Sequence, residues 1–371
     1  MHAVLQFIKK EPVLTASGLL AAASVFAVLP DGVSFDGINW QVLAILYCLM
    51  TVVAGLRKSG VFDALTCALT RLTCSTALLT ALLTLLCFLI SALITNDVAL
   101  LTFVPFTIGL FGAGRRKQLV YALVLETIAA NLGSLMTPMG NPQNLYLYAH
   151  YAMTGRAFFS VMLPLGGVCL LVTGILTLFA PRGQLDVRPG APLPRIRPAC
   201  FAVFCTLFAV CLLCVLKIVA WYVLLPVVCA AEIIYDRSVM KEADFSLLLT
   251  FVFFFVFVGN VSRIDAVRAA AERALSGREI LVSALVSQVI SNVPAAAMLS
   301  AFTDNAAALL WGTNIGGLGT PVASMASLIT FRFYAAADAG GSRRYLAVFS
   351  ALNFTLLAVL LAAAPLLLRL L

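Results

Sequence analysis

Residues 131–145 read NLGSLMTPMGNPQNL, and residues 314–328 read NIGGLGTPVASMASL. Aligned, the two share Asn131/Asn314, Gly133/Gly316, Leu135/Leu318, Thr137/Thr320, Pro138/Pro321 and Leu145/Leu328. Both lie inside long apolar runs. In a helix interior Gly costs about 1 kcal/mol and Pro about 3 kcal/mol relative to Ala. A chain that interrupts two of its most apolar segments with one polar phrase is building something at the interruptions.

The solvent comes first. Of 371 residues, 62% are hydrophobic and 11% charged. A water-soluble domain carries about 25% charged residues, so lipid must surround most of this chain. An all-α polytopic membrane protein is expected, with the bilayer as its main partner. The net charge of +8 falls in short clusters between apolar runs: Lys9-Lys10, Arg57-Lys58, Arg115-Arg116-Lys117, four Arg between 182 and 197, and Arg343-Arg344. That is the pattern of cytoplasmic loops, and no nucleic-acid partner is expected. The ten cysteines are scattered through apolar segments. Cys211 and Cys214 have redox spacing without a second pair or a nearby His, so they read as small buried hydrophobes. His2 and His150 are too few for a metal centre. Neither HExxH nor GxSG with a partner His occurs, so no enzyme is expected, and no cofactor.

A crossing of about 30 Å takes roughly 20 apolar residues. Candidate crossings are 13–30, 39–56, 118–150 (interrupted), 158–180, 199–216, 219–235, 244–260, 305–335 (interrupted) and 345–369. Lys9-Lys10 before the first run mimics a signal peptide, but its length reads as an uncleaved first helix. The regions 77–113 and 280–303 carry polar breaks, ITND at 94–97 and ISNV at 290–293, and read as hairpins that dip in and return. With the N-terminus cytoplasmic, the basic clusters up to 198 and Arg343-Arg344 fall inside and the C-terminus outside. Residues 262–279 read as an amphipathic surface helix. The Pro/Gly-rich stretch 181–198 separates two halves, 1–180 and 199–371. Each half runs full span, amphipathic stretch, broken hairpin, interrupted span, final span. An odd number of crossings separates the starts at 39 and 244, which turns the second half upside down: an inverted-repeat transporter architecture.

Non-helical backbone at membrane depth survives only inside protein or against a wet cavity. A helix that stops half-way presents partial charges that hold an anion at its N-terminus or a cation at its carbonyls. Asn adds a donor and an acceptor, Ser and Thr a hydroxyl. Thr95-Asn96-Asp97, Ser291-Asn292 and the two Thr-Pro breaks are therefore the candidate central site. Asp97 and Glu126, carboxylates inside apolar runs, are proton or cation relay candidates.

ITNDVALLTFVPF (94–106), TPMGNPQNL (137–145), SNVPAAAM (291–298) and NIGGLGTP (314–321) resemble the ion transporter superfamily, in particular the citrate-transporter-like and arsenite-antiporter-like permeases related to the divalent-anion:sodium symporters. The resemblance covers nearly the whole chain. It implies two re-entrant hairpins meeting two discontinuous helices, with substrate between the hairpin tips and a cation beside each. On that basis Asn96, Asp97, Asn141, Asn292, Val293, Thr320 and Ser324 would face substrate. Thr95, Asn96, Gly140, Asn144, Ser291, Asn292 and Ala323 would form cation sites. It further implies elevator motion and a homodimer. The third tip position, a hydroxyl in the dicarboxylate carriers, is Asp97 in one hairpin and Val293 in the other, which disfavours a dicarboxylate. The expected function is secondary active transport of a small anionic solute, a carboxylate or oxyanion, driven by Na⁺ or H⁺. The alternatives are Na⁺/H⁺ antiport and arsenite efflux.

Overall fold

The computed structural model describes residues 11–28, 37–71, 73–185 and 195–369. Lys9-Lys10 and residues 186–194 of the linker lie outside the described residues. Secondary structure is helical throughout them, apart from one isolated bridge between Ser75 and Gln184. The first helices are α1 (Pro12–Val28), α2 (Trp40–Lys58), α3 (Val61–Thr70), α4 (Thr76–Leu93), α5 (Asn96–Phe111), α6 (Arg116–Ser134), α7 (Pro142–His150) and α8 (Gly155–Thr177). After the linker come α9 (Pro198–Val215), α10 (Trp221–Tyr235), α11 (Phe245–Val261), α12 (Asp265–Leu275), α13 (Glu279–Ile290), α14 (Asn292–Leu299), α15 (Ala306–Ile315), α16 (Met325–Ala337) and α17 (Ser342–Leu368). Polar residues start many of them. Asn39, Ser75, Thr95, Asn141, Thr154, Asp244 and Asn305 each accept a hydrogen bond from the first helical turn, satisfying N–H groups that have no partner within the helix.

Among the described residues five helices, α2, α4, α8, α9 and α17, are long and apolar enough to cross a membrane. A sixth span arises if α11 and α12 are counted together, although they meet at 108°. The protein is thus a multi-pass membrane protein. The bend has a sequence cause. Asp265, Arg268, Glu272 and Arg273 make α12 polar, and its side chains are largely exposed, whereas α11 is almost wholly apolar.

Helix α4, at 18 residues, is about 27 Å long, enough to span by itself where a half-depth arm was expected. The chain nevertheless comes back beside it. Thr76 N donates to Gly183 O at 2.9 Å, and Arg115 Nε, just beyond α5, donates to Gln184 O at 3.0 Å. The start of α4 and the end of α5 therefore sit on the same short segment. Both helices pack on α6, as α13 and α14 both pack on α15. Packing also runs crosswise, with α16 on α5 and α14 on α7. Around this core α1 lies along α11, where Asn260 Nδ2 donates to Ser24 Oγ at 3.1 Å, and α9 and α10 lie along α2.

The shared glycines make the closest joints. A Cβ at Gly133 would meet Phe88 O at 2.1 Å, and one at Gly316 would meet Ala284 Cα at 2.7 Å. Phe88 precedes Asn96 by as many residues as Ala284 precedes Asn292, so the two joints have one register. At the bundle surface Arg57 pairs with Glu242 at 2.7 Å and Arg116 with Asp338 at 2.8 Å. Such exposed pairs contribute little, about 0–1 kcal/mol each.

Candidate functional site

Helix α6 stops at Ser134 and α7 restarts at Pro142. Asn141 Oδ1 caps α7 by accepting from Asn144 N at 2.9 Å, and proline follows at N1, where no N–H is needed. The carbonyls that α6 leaves behind are covered by one side chain. Asn144 Nδ2 donates to Thr137 O at 3.1 Å and Leu135 O at 3.2 Å, and lies 3.4 Å from Ser134 O. The second break solves the same problem from another direction. Gln288 Nε2, on α13, donates to Gly316 O at 2.8 Å and Leu318 O at 2.9 Å, while its Oε1 accepts from Thr320 N at 2.9 Å. The threonine of each phrase ties the break to its hairpin. Thr137 Oγ1 donates to Ala92 O, and Thr320 Oγ1 to Gln288 O.

Between the halves the asparagines reach across. Asn131 Oδ1 accepts from Ser324 Oγ at 2.9 Å, and Asn141 Nδ2 donates to Asn314 Oδ1 at 2.9 Å. In the opening alignment Asn131 matches Asn314 and Asn141 matches Ser324, so these two bonds are one contact made twice. Asn314 Nδ2 also donates to Asn144 Oδ1 at 2.6 Å, and Asn96 Nδ2 to Asn131 Oδ1 at 3.3 Å.

The two hairpin tips differ in backbone. Thr95 is extended, with φ −174°, and its hydroxyl caps α5 at Val98 N. Ser291 has φ +75°, a region that L side chains seldom occupy. Its hydroxyl turns to Ala323 O at 3.4 Å, and no side chain caps α14. The expected result is that Ser291→Gly melts at or above the wild-type temperature, while Thr95→Ala melts lower because it loses a cap worth about 1 kcal/mol. Thermal unfolding in detergent distinguishes them; a Ser291→Gly protein that melts well below wild type would contradict the strained tip.

The tips meet. Asn96 and Asp97 of α5, Pro142 and Gln143 of α7, Asn292 and Val293 of α14, and Ser324 and Met325 at the start of α16 line one cleft. Four helices therefore begin at a single buried point, each with the positive end of its dipole there. A cavity of about 130 Å³ joins Thr95 and Asp97 to Arg57 and Glu242 at the bundle surface, walled by Leu46, Met50 and Leu247.

Of the residues expected at the site, Asn96, Asp97, Asn292, Val293 and Ser324 line the cleft. Thr95 lines the larger cavity, and Asn141 sits directly behind α7 as its cap. The carbonyls of Gly140 and Ala323 each accept from a hairpin tip, Gly140 O from Asn96 N at 3.1 Å. Thr320 is engaged with Gln288 outside the cleft, and Asn144 with the half-helix carbonyls. Glu126 is fully buried away from the cleft; Thr107 Oγ1 donates to its Oε1, and its Oε2 has no partner among the described residues.

Sequence reading passed over three residues. Gln143 lines the cleft from the first turn of α7; it directly follows the proline that starts that helix. Gln288 joins hairpin to break, and an amide in an apolar helix was its signal. Glu232 is a second fully buried carboxylate, with Tyr47 OH donating to its Oε2 at 3.4 Å, and the rule that singled out Glu126 applies to it equally.

A multi-pass helical protein whose interrupted helices start at one buried polar cleft is, in kind, a membrane transporter. The model of the citrate transporter family matches residues 3–330, and the chain belongs to that family. It is 31% identical over 302 residues to an uncharacterized transporter of Methanocaldococcus jannaschii, covering 80% of this chain and 82% of that one. It is 30% identical over 305 residues to inner membrane protein YbiR of Escherichia coli, covering 80% of each. A shorter match, 30% over 152 residues, covers 40% of this chain and 31% of the silicon efflux transporter LSI3 of rice.

Proposed function

We propose that the protein is a secondary active transporter that moves a small anionic solute, a carboxylate or an oxyanion, coupled to Na⁺ or H⁺. The observation that carries this reading is the convergence of four helix N-termini on a cleft holding Asn96, Asn292, Gln143 and Ser324. Oriented N–H dipoles in a dry setting favour an anion without any basic side chain. Residues 1–180 and 199–371 are two inverted repeats joined by 181–198. Each contributes one re-entrant hairpin and one discontinuous helix, and the twice-made Asn131–Ser324 and Asn141–Asn314 contact supports the repeat.

In this reading solute sits between Asn96 and Asn292, and the coupling cation or proton uses the first tip at Thr95 and the Gly140 carbonyl. Ser291 and Ala323 are the corresponding pair at the second tip. Asn144 and Thr320 support the breaks without touching solute. The N-terminus faces the cytoplasm and the C-terminus the outside, in an inner membrane, and the functional unit is a homodimer.

Purified protein in proteoliposomes tests the proposal. Uptake of carboxylates and inorganic oxyanions is measured under an imposed Na⁺ or H⁺ gradient. Accumulation under one gradient and not the other is expected; failure to accumulate any anion under both removes the reading.

Asp97 in the cleft favours a second reading, efflux of an uncharged oxoacid such as arsenite or Na⁺/H⁺ exchange, and the silicon efflux relative points the same way. Arsenite tolerance of a sensitive host, and Na⁺-dependent proton movement in everted vesicles, would each mark it.

A further inference from the structure

We propose that the cleft accepts a solute with one negatively charged end and rejects its doubly charged counterpart, the anionic end lying on α7, α14 and α16 and a hydrogen-bond-donating end lying on Asp97. This rests on the anion-transporter reading above and names the charge class of its substrate.

The four helix starts are not equivalent. At α5 every first-turn N–H is already engaged: Asn96 N with Gly140 O, Asp97 N with Asn96 Oδ1 at 2.9 Å, and Val98 N with Thr95 Oγ1. Among the described residues that helix start also carries the only charge in the cleft, and Asp97 Oδ1 has no hydrogen-bond partner. The first tip therefore offers an acceptor.

The other three starts offer donors. Among the described residues no acceptor is assigned to the main-chain N–H of Gln143, Asn292, Val293 or Met325. Ser291, held at φ +75°, leaves α14 uncapped, and Ser324, whose hydroxyl is donated to Asn131, leaves α16 uncapped. The side chain of Gln143 is 2% exposed and lines the cleft with no hydrogen bond of its own among the described residues. Asn292, 4% exposed, lines the same cleft, with a single 3.5 Å contact from Ser291. The amides of Gln143 and Asn292 are therefore open to a ligand in the cleft. An oxyanion supplies several acceptors at once, and the helix dipoles add to the gain.

The remaining charges do not reverse this polarity. Arg57, the basic side chain of the connecting cavity, is paired with Glu242 at 2.7 Å, and Asp244 in the same cavity caps α11 at Leu247 N. A second carboxylate on the solute would face Asp97 in a site with little water, where like charges repel strongly. A hydroxyl or other donor there meets the free Oδ1 instead.

The test compares matched probes on the intact, detergent-purified chain: 4-hydroxybutyrate against succinate, and nitrate against sulfate. Binding is read by calorimetry and thermal shift. Wild type is expected to bind the monoanion of at least one pair tenfold or more tightly than its dianion. Asp97→Ser should narrow that gap at least fivefold by strengthening the dianion, and Asp97→Asn, nearly isosteric, should move it in the same direction and serve if the serine variant misfolds. Wild type binding the dianion as tightly as the monoanion, or a gap unchanged by both substitutions, would overturn the inference while leaving anion transport standing. If no anion of either charge binds wild type or the Asp97 variants, the anion-transport reading falls and the inference with it.

Discussion

Gly133→Ala is expected to leave little monodisperse protein after detergent extraction. The added methyl would lie 2.1 Å from Phe88 O, 2.8 Å from Phe88 C and 2.5 Å from Ser91 Oγ. Two of those atoms are backbone in the middle of α4, so no side chain can rotate away. Either α4 lifts off α6 or α6 distorts beside its break. Overpacking that side chains can absorb costs about 1–3 kcal/mol; a backbone collision at the core of the bundle belongs at or beyond the top of that range. Gly316→Ala should behave alike, because its methyl meets Ala284 Cα at 2.7 Å and Ser287 Cβ at 2.9 Å. Gly167→Ala and Gly174→Ala in α8 are the controls, having nothing within 4 Å, and should extract and melt like wild type. Size-exclusion profiles of the four proteins decide it. A wild-type profile for Gly133→Ala would mean that α4 and α6 do not approach as described.

Asn292→Ala is expected to lower solute transport at least tenfold while shifting stability by less than about 1 kcal/mol. The contrast is with Asn96. Asn96 Nδ2 donates to Asn131 and its Oδ1 accepts from Asp97 N, so Asn96→Ala leaves Asp97 N unpaired at roughly 1–3 kcal/mol and takes one of two donors from Asn131 Oδ1, which keeps Ser324 Oγ. Asn292 has only the long Ser291 contact to lose, and its amide is free for solute. The paired experiment measures melting temperature and proteoliposome flux for both variants. Asn96→Ala should lose stability and flux together, Asn292→Ala flux alone. Undiminished flux in Asn292→Ala, with the protein folded, would remove the second tip from the transport site.

The recurring phrase at 131 and 314 made much of this legible in the sequence, because Gly, Pro and Asn are expensive in apolar helices and their repetition has few explanations. The helix breaks fall where those residues lie, and the buried tips carry Asn96 and Asn292 as expected from their setting. What could not be read is which group would cover the carbonyls at each break. Asn144 does it within its own segment, but Gln288 does it from another helix, and only packing decides whether a distant amide arrives. Gln143 was hidden for a related reason. A polar residue in the first turn of a helix is usually solvated, and here the turn opens into the cleft. The length of α4 misled in the other direction: a helix long enough to cross belongs to a chain that turns back, and the evidence for turning back lies in Arg115 and Gln184, residues far apart in sequence.

The fastening of α4 at its base has a mechanical consequence. Thr76 is held by Gly183 O through its N–H and by Pro181 O through its hydroxyl, the latter at 2.9 Å, and Gln118 reaches Arg182 O nearby. These anchors lie in the chain that links one half of the molecule to the other. With α4 acting as a stiff rod about 27 Å long, a tilt of about 5° at this anchorage carries its far end, beside Asn96, roughly 2 Å. A tug on the connector is thereby delivered at the first hairpin tip, by leverage alone.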